Sequence, residues 1–465
     1  MDHQAEFASF GRRFARRPGF VIGAFVALCL AAFLVTIPLP RVDNQLVGSD
    51  GIGYYVYLPS YWLDHDLDFT NEYAYFFAYT PDTEVGFHTQ RTVVGVPPNQ
   101  WAVGPALLWS PFFLLAHLVF HAINGLGAQL PVDGLSQAYQ AVVLASSILY
   151  AGLGLWFIYR FVCSFAVNSA ALFGTIFVAM SGNLVYYMTA EPSMSHALSV
   201  FASGLFFFTW AKRRERWGIT TAIYLGLIGG LMALVRPQDG IFLVLPFLDQ
   251  LVDVFQAAPN KRAAAIGRWV LSGLAAAAAA LAVFSLQLSA WMAIYGDLLH
   301  SGYFQGGGGF NWLQPQLLNV LVSAQRGLFV WHPIYLVGLA GLIATFQRDH
   351  TMAILGWLGF ALQWYLTSSW GDWVQGDAFG GRMLIVCTPI IALGVASLIE
   401  WVVERWSWAI VLGVASLLVI WNLLLFIEYR FYLVGLGRLP TWYDVTVGRF
   451  TIPLELLWRV VKQER

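Results

Sequence analysis

The chain has 465 residues, 58% of them hydrophobic, and only 11% are Asp, Glu, Lys or Arg. That is too little charge to cover the surface of a soluble domain of this length, so a water-soluble fold is excluded. The net charge of −1 points to no class of partner, and no nucleic-acid partner is expected.

Repeated apolar runs, each long enough to cross about 30 Å of hydrocarbon, predict an all-α, polytopic transmembrane helix bundle of about 11 to 13 spans. Residues 1–465 read as one integral membrane domain with a large first outer loop at 41–135, containing juxtamembrane helices, and a C-terminal tail at 428–465. Arg12, Arg13, Arg16 and Arg17 precede a first apolar run at 20–38, which lacks a small-x-small cleavage site and reads as an uncleaved anchor with a cytoplasmic N-terminus. Further runs fall near 102–122, 137–159, 169–189, 194–211, 218–235, 240–256, 269–295, 327–346, 351–370, 383–400 and 406–427. Cys29, Cys163 and Cys387 all lie inside such runs and read as small core residues.

The connections test the orientation. The basic groups at 212–216, at Lys261, Arg262 and Arg268, and at Arg348 should all be cytoplasmic, and an even number of spans separates each from the next. They agree with the N-terminus only when one segment before Lys212 does not cross. The run at 102–122 is the expected exception, because it carries Pro105, Pro111, His117 and His121. This parity gathers 41–135, 190–195, 236–239, 296–326 and 371–382 on the outer face. The tail comes out on that face too, despite Arg430, Arg438, Arg449, Arg459, Lys462 and Arg465, so a short last re-entry near 451–461 is compatible with it. No internal repeat is visible, which weakens a transporter reading. Low complexity is confined to Ala275–Ala280, read as a close-packing helix face, and to Gly306–Gly309, read as a flexible loop.

The outer segments hold the candidate chemistry. In the first loop Asp43, Asp50, Asp64, Asp66, Asp68, Glu72, Asp82 and Glu84 outnumber Arg41 and Arg91, and a solvated acidic loop accounts for most of them. Asp50 stands apart, because Gly51, Gly53, Tyr54 and Tyr55 surround it instead of other charges. Asp64, Asp66 and Asp68 alternate as oxygen ligands of a hard cation would, but they equally suit the polar end of an amphipathic helix. Glu191-Pro192 and His196 put an acid and an imidazole at a membrane edge, where a plain helix start competes with a site. Arg236, Arg326, His332 and Arg382 each stand where an outer loop meets a span. Snorkelling explains any one of the arginines, whereas a planar donor set for a phosphate explains their convergence.

The order of these elements resembles the GT-C superfamily of polyprenyl-phosphate-sugar glycosyltransferases, which includes the protein O-mannosyltransferases, the lipid A aminoarabinose transferase and the RgtA/B/C/D-like bacterial enzymes. The match runs from Asp50 with Tyr54 and Tyr55, through Pro97-Pro98-Asn99-Gln100-Trp101, to Glu191-Pro192 and the glycine-flanked Arg326 and Arg382. This chain has Asp50-Gly51 where the mannosyltransferases have Asp-Glu, and Asn99 near the lysine of the aminoarabinose transferase. The resemblance implies Asp50 as catalytic base. Together with the residues singled out above, the candidate site is Asp50 and Glu191 as catalytic groups, with Tyr54, Tyr55, Asn99, Trp101, His196, Arg236, Arg326, His332 and Arg382 as substrate-binding residues.

On that basis a sugar passes from a polyprenyl-phosphate donor to an acceptor hydroxyl of a glycan, lipid or protein, with inversion, on the outer face of a bacterial inner membrane. An arginine neutralises the departing phosphate, so no cofactor is expected and a divalent metal is not required. Trp101, Tyr54, Trp370 and Trp373 are candidate sugar-stacking surfaces. The competing reading is a secondary transporter or flippase of a lipid-linked or anionic sugar, and an envelope-glycan polymerase or ligase of another fold is a third.

Overall fold

The structure, a computed structural model, describes residues 17–39, 45–78, 89–303, 309–431 and 439–462. Arg12, Arg13 and Arg16, the loop residues Arg41, Asp43, Asp82 and Glu84, the glycines 306–308, and Arg438 and Arg465 lie outside the described residues. No strand occurs among the described residues, only an isolated bridge between Phe310 and Trp370.

The main helices are α1 (Pro18–Thr36), α2 (Asp50–Tyr55), α3 (Gly104–Gly125), α4 (Gln137–Val162), α5 (Asn168–Ser181), α6 (His196–Arg213) and α7 (Ile219–Val235). They continue as α8 (Val244–Gln256), α9 (Pro259–Tyr295), α10 (Ile334–Phe346), α11 (His350–Ser369), α12 (Thr388–Arg405), α13 (Trp408–Arg430) and α14 (Arg449–Lys462). Among the described residues, α1, α3, α4, α9, α12 with its preceding turn, and α13 are long and apolar enough to cross a membrane; α5, α7 and α10 are apolar but shorter.

Glycines set how closely the helices approach. A Cβ on Gly19 would meet Trp156 and one on Gly152 would meet Val26, so α1 runs antiparallel to α4. Gly226 and Gly230 press on the backbones of Ala276 and Ala280, so the alanine run at 275–280 is the face on which α7 and α9 lie side by side. The tightest crossing joins α10 and α12, where a Cβ on Gly394 would stand 1.9 Å from the Gly338 carbonyl oxygen. Backbone cannot swing aside as a side chain does. Gly394→Val is therefore expected to cost about 3 kcal/mol or more. A thermal melt in detergent checks this against Gly23→Ala, where no neighbour lies within 4 Å.

One end of the bundle is tied by charge. Arg214 donates to Asp249 from Nε at 2.7 Å and from Nη2 at 2.8 Å, and also pairs with Asp349. Arg348 pairs with Glu400, which also accepts from the Val167 amide. The basic connections after α6 and α10 thus meet at the same end, joined to α8, α5 and α12.

The first loop returns to the opposite end. Tyr150 Oη donates to the Leu108 carbonyl at 2.8 Å, Trp109 Nε1 to Ser147 Oγ at 2.8 Å, and His117 Nδ1 lies 2.6 Å from Tyr139 Oη. α3 is therefore antiparallel to the first half of α4 and begins level with its middle, where Gly104 rests on Leu234 and Val235. Its length and apolar composition are those of a membrane span, and it runs from beside the C-terminal end of α7 towards the end where α4 starts.

The apolar run at 169–189 is not one helix. It breaks after Ser181, and Asn422 of α13 caps the break by donating to the Met180 carbonyl at 2.8 Å and the Gly182 carbonyl at 2.9 Å.

Candidate active site

Asp50 opens α2 just after a turn in which Ser49 has φ 51°. Two glycines press this helix into place. A Cβ on Gly51 would lie 2.5 Å from Ser193 Oγ, and one on Gly53 would lie 1.9 Å from the Trp101 ring. Both contacts require glycine for space, and they fix Asp50 against the turn at 190–195 and the loop before α3.

The Asp50 carboxylate projects into a cavity of about 490 Å³. There Arg382 Nη1 lies 3.0 Å from Asp50 Oδ2. Arg236, at the end of α7, and His196, the first residue of α6, reach the same cavity, as do Tyr54 and Gln238. Trp291, Tyr303, Phe310, Trp312 and Trp370 wall it with aromatic rings. His196 stacks on Tyr187 with ring centroids 4.1 Å apart, and neither of its nitrogens has a hydrogen-bond partner. Arg236 donates through Nη1 to the Arg382 carbonyl at 3.4 Å. The site thus brings one carboxylate, two guanidiniums and an imidazole to a pocket that is otherwise apolar. Such a pocket suits a ligand with an anionic group and a ring face.

Glu191 stands behind Arg382, half-buried, and accepts from Tyr186 Oη at 3.0 Å. Burial pushes its carboxyl up from 4.5 to about 7; the charges of Asp50 and Asp377 add to this, while the Tyr186 bond and Arg382 oppose it. The folded chain therefore binds this proton more tightly than the unfolded chain. Stability should fall as pH rises from 4.5 to about 7 and level off above that. Glu191→Gln is expected to flatten that part of a melting-temperature profile; an unchanged slope would remove Glu191 as its source.

Asp239, three residues beyond Arg236, is buried and accepts from Ser199 Oγ at 2.5 Å. Burial raises its carboxyl to about 6 against the pull of Arg236 and Ser199.

Several residues singled out from the sequence take other places. Asn99 is buried outside the cavity, donating to the Gly53 carbonyl at 2.9 Å and accepting from the Trp101 amide at 3.1 Å. It ties the Trp101 loop to α2, and the Trp101 ring packs on Gly53. Tyr55 donates to the Gly134 carbonyl at 2.8 Å. Arg326 donates to the Ala378 carbonyl at 2.7 Å and pairs with Asp377 at 2.6 Å. His332 Nδ1 lies 2.9 Å from Asn422 Oδ1, so it orients the residue that caps the broken helix. Trp370 lines the cavity and Trp373 does not.

Asp66 accepts from Ser60 Oγ at 3.0 Å and from the Asp68 amide at 3.1 Å; Asp68 accepts from Thr70 Oγ1 at 2.6 Å, and Asp64 from Asn71 at 2.8 Å. These carboxylates order a turn, and among the described residues no group of three or more His, Cys, Asp or Glu is arranged to hold a metal ion. Sequence reading passed over Gln238, Trp291, Tyr303, Phe310 and Trp312. The only signal at Tyr303 and Phe310 is that they flank the glycine run at 306–309.

No protein-family model and no curated protein sequence matches this chain. Among solved structures it is similar to the archaeal oligosaccharyltransferase AglB from Archaeoglobus fulgidus in complex with an inhibitory peptide and a dolichol-phosphate. That likeness has 12% identity and a TM-score of 0.44, and covers 95% of this chain and 55% of that one. It is also similar to the Archaeoglobus fulgidus oligosaccharyltransferase in the apo form, with 13% identity, a TM-score of 0.44, and 94% and 54% of the two chains covered. A third likeness is to that enzyme tethered with an acceptor peptide, with 13% identity, a TM-score of 0.46, and 96% and 54% covered. The chain spans about half the length of these structures.

Proposed function

We propose that this chain is an inverting membrane glycosyltransferase that moves a sugar from a polyprenyl-phosphate donor to an acceptor hydroxyl on the outer face of a bacterial inner membrane. The observation that carries the reading is the meeting of Asp50 with Arg382, Arg236 and His196 in one aromatic-walled cavity. A general base, a phosphate-binding cation and ring-stacking surfaces are what this transfer needs within one pocket.

The acceptor hydroxyl gives its proton to the Asp50 carboxylate as its oxygen attacks the anomeric carbon. The bond from that carbon to the phosphate oxygen breaks on the opposite face, its electron pair leaving with the lipid phosphate. Arg236 stabilises the charge that gathers there. Tyr303, Phe310, Trp312 and Trp370 offer faces for the sugar and the first isoprenoid units. The acceptor is a hydroxyl of a glycan, lipid or protein.

The sidedness rests on the cavity lying where α6 starts and α7 ends, opposite the Arg214 and Arg348 ion pairs, whose basic connections mark a cytoplasmic end. The test is transfer by the purified chain in nanodiscs from polyprenyl-phosphate sugars to a panel of acceptors. A glycosylated product released together with polyprenyl phosphate supports the proposal. Movement of the lipid-linked sugar between leaflets with no bond broken would assign a flippase instead.

A further inference from the structure

We infer that Gln238 is a positioning residue: it fixes the guanidinium of Arg236 with an uncharged oxygen, so that Arg236 keeps its full charge for the donor phosphate. The inference rests on the donor reading above and says which of the three arginines serves as the phosphate subsite, and why.

The three arginines differ in what holds them. Arg326 is paired with Asp377 at 2.6 Å, and Arg382 with Asp50 at 3.0 Å. Arg236 is 6% exposed, yet its hydrogen bonds go to neutral acceptors. With the amide oriented so that its oxygen faces the guanidinium, Gln238 accepts from Arg236 Nη2 at 2.8 Å and from Nε at 3.2 Å. The Arg382 carbonyl accepts from Nη1 at 3.4 Å. These three bonds leave one N–H on each terminal nitrogen as a donor for an anionic ligand.

A carboxylate in the place of the Gln238 amide would hold the guanidinium more tightly. It would also cancel the charge that an incoming phosphate needs. The nearest carboxylate along the chain, Asp239, is turned onto Ser199 Oγ at 2.5 Å; it feels the charge of Arg236 but makes no hydrogen bond to the guanidinium. Keeping a cation buried on neutral partners costs stability, and an anionic ligand that restores the balance offsets that cost. Gln238 and Arg236 both line the cavity that holds Asp50, so the phosphate subsite and the base share one space.

The arrangement makes stability and donor binding move in opposite directions, which a merely structural role would not do. The full chain in nanodiscs is compared with Gln238→Glu and Gln238→Met, reading the melting temperature and the affinity for a sugar-free polyprenyl monophosphate. Gln238→Glu is expected to keep or raise the melting temperature while weakening polyprenyl monophosphate about tenfold or more. Gln238→Met, which loses the acceptor but leaves the charge, is expected to lower the melting temperature and weaken binding by less. Wild-type affinity in Gln238→Glu, or losses of affinity that track the melting temperature in both variants, overturns the inference and leaves the donor reading standing. Failure of the wild type itself to bind polyprenyl monophosphate overturns both.

Discussion

Asp50→Asn is expected to lower sugar transfer about a thousandfold and to leave the protein folded, since a positioned general base contributes on this order. Asparagine has the same shape, and its side-chain oxygen can still accept from Arg382, which lies 3.0 Å from Asp50 in the wild type. Asp50 is also 31% exposed on its cavity face, so the new amide group finds space and solvent. What is lost is the basic oxygen that takes the acceptor's proton. A melting temperature close to wild type with transfer reduced to background fits this role, and so does undiminished binding of polyprenyl monophosphate. Equal transfer in the two proteins removes Asp50 from the chemistry, whatever the cavity looks like.

Most helices were legible because their cause is local. An apolar run long enough to cross hydrocarbon has few other structures open to it, and the runs at 137–159, 218–235 and 406–427 appear as α4, α7 and α13 within a few residues. Departures occur where the cause is distant. The break after Ser181 depends on Asn422, some 240 residues away, which caps the exposed carbonyls. α9 begins at Pro259 instead of near 269, because Lys261, Arg262 and Arg268 stay helical on a stretch that hydropathy alone does not mark.

The site divides in the same way. Arg236, Arg326 and Arg382 carry one local signature, a cation where an apolar run meets an outer loop. Only the partners separate them: Arg326 is consumed by Asp377, Arg382 faces Asp50, and Arg236 rests on Gln238. His332 likewise looks like a site histidine in sequence but serves Asn422. Gln238 carried no signal, because a glutamine in an outer loop is unremarkable until its partner is known, and Tyr303 carried only its nearness to the glycine run at 306–309.

Arg382→Ala is expected to cost about a hundredfold in transfer, comparable with the loss of one preorganised donor at a reacting centre. Arg382 acts on two carboxylates through different parts of its chemistry. Towards Asp50 it is a directed donor, with Nη1 at 3.0 Å and the Nη2 side lying along Gly376, where a Cβ would be only 3.3 Å away. Towards Glu191 it is a nearby positive charge that opposes the upward pull of burial. Arg382→Lys separates the two, because an ammonium keeps the charge but cannot reproduce a planar donor held along a backbone wall. In Arg382→Ala, the fall of stability with pH that Glu191 causes should therefore extend above about 7, since the opposing charge is gone. In Arg382→Lys that fall should end near its wild-type position while transfer stays closer to the alanine variant. Full recovery of transfer by lysine would mean that Arg382 serves only as a point charge, and that the orientation of Asp50 comes instead from the glycine contacts that seat α2 against Ser193 and Trp101.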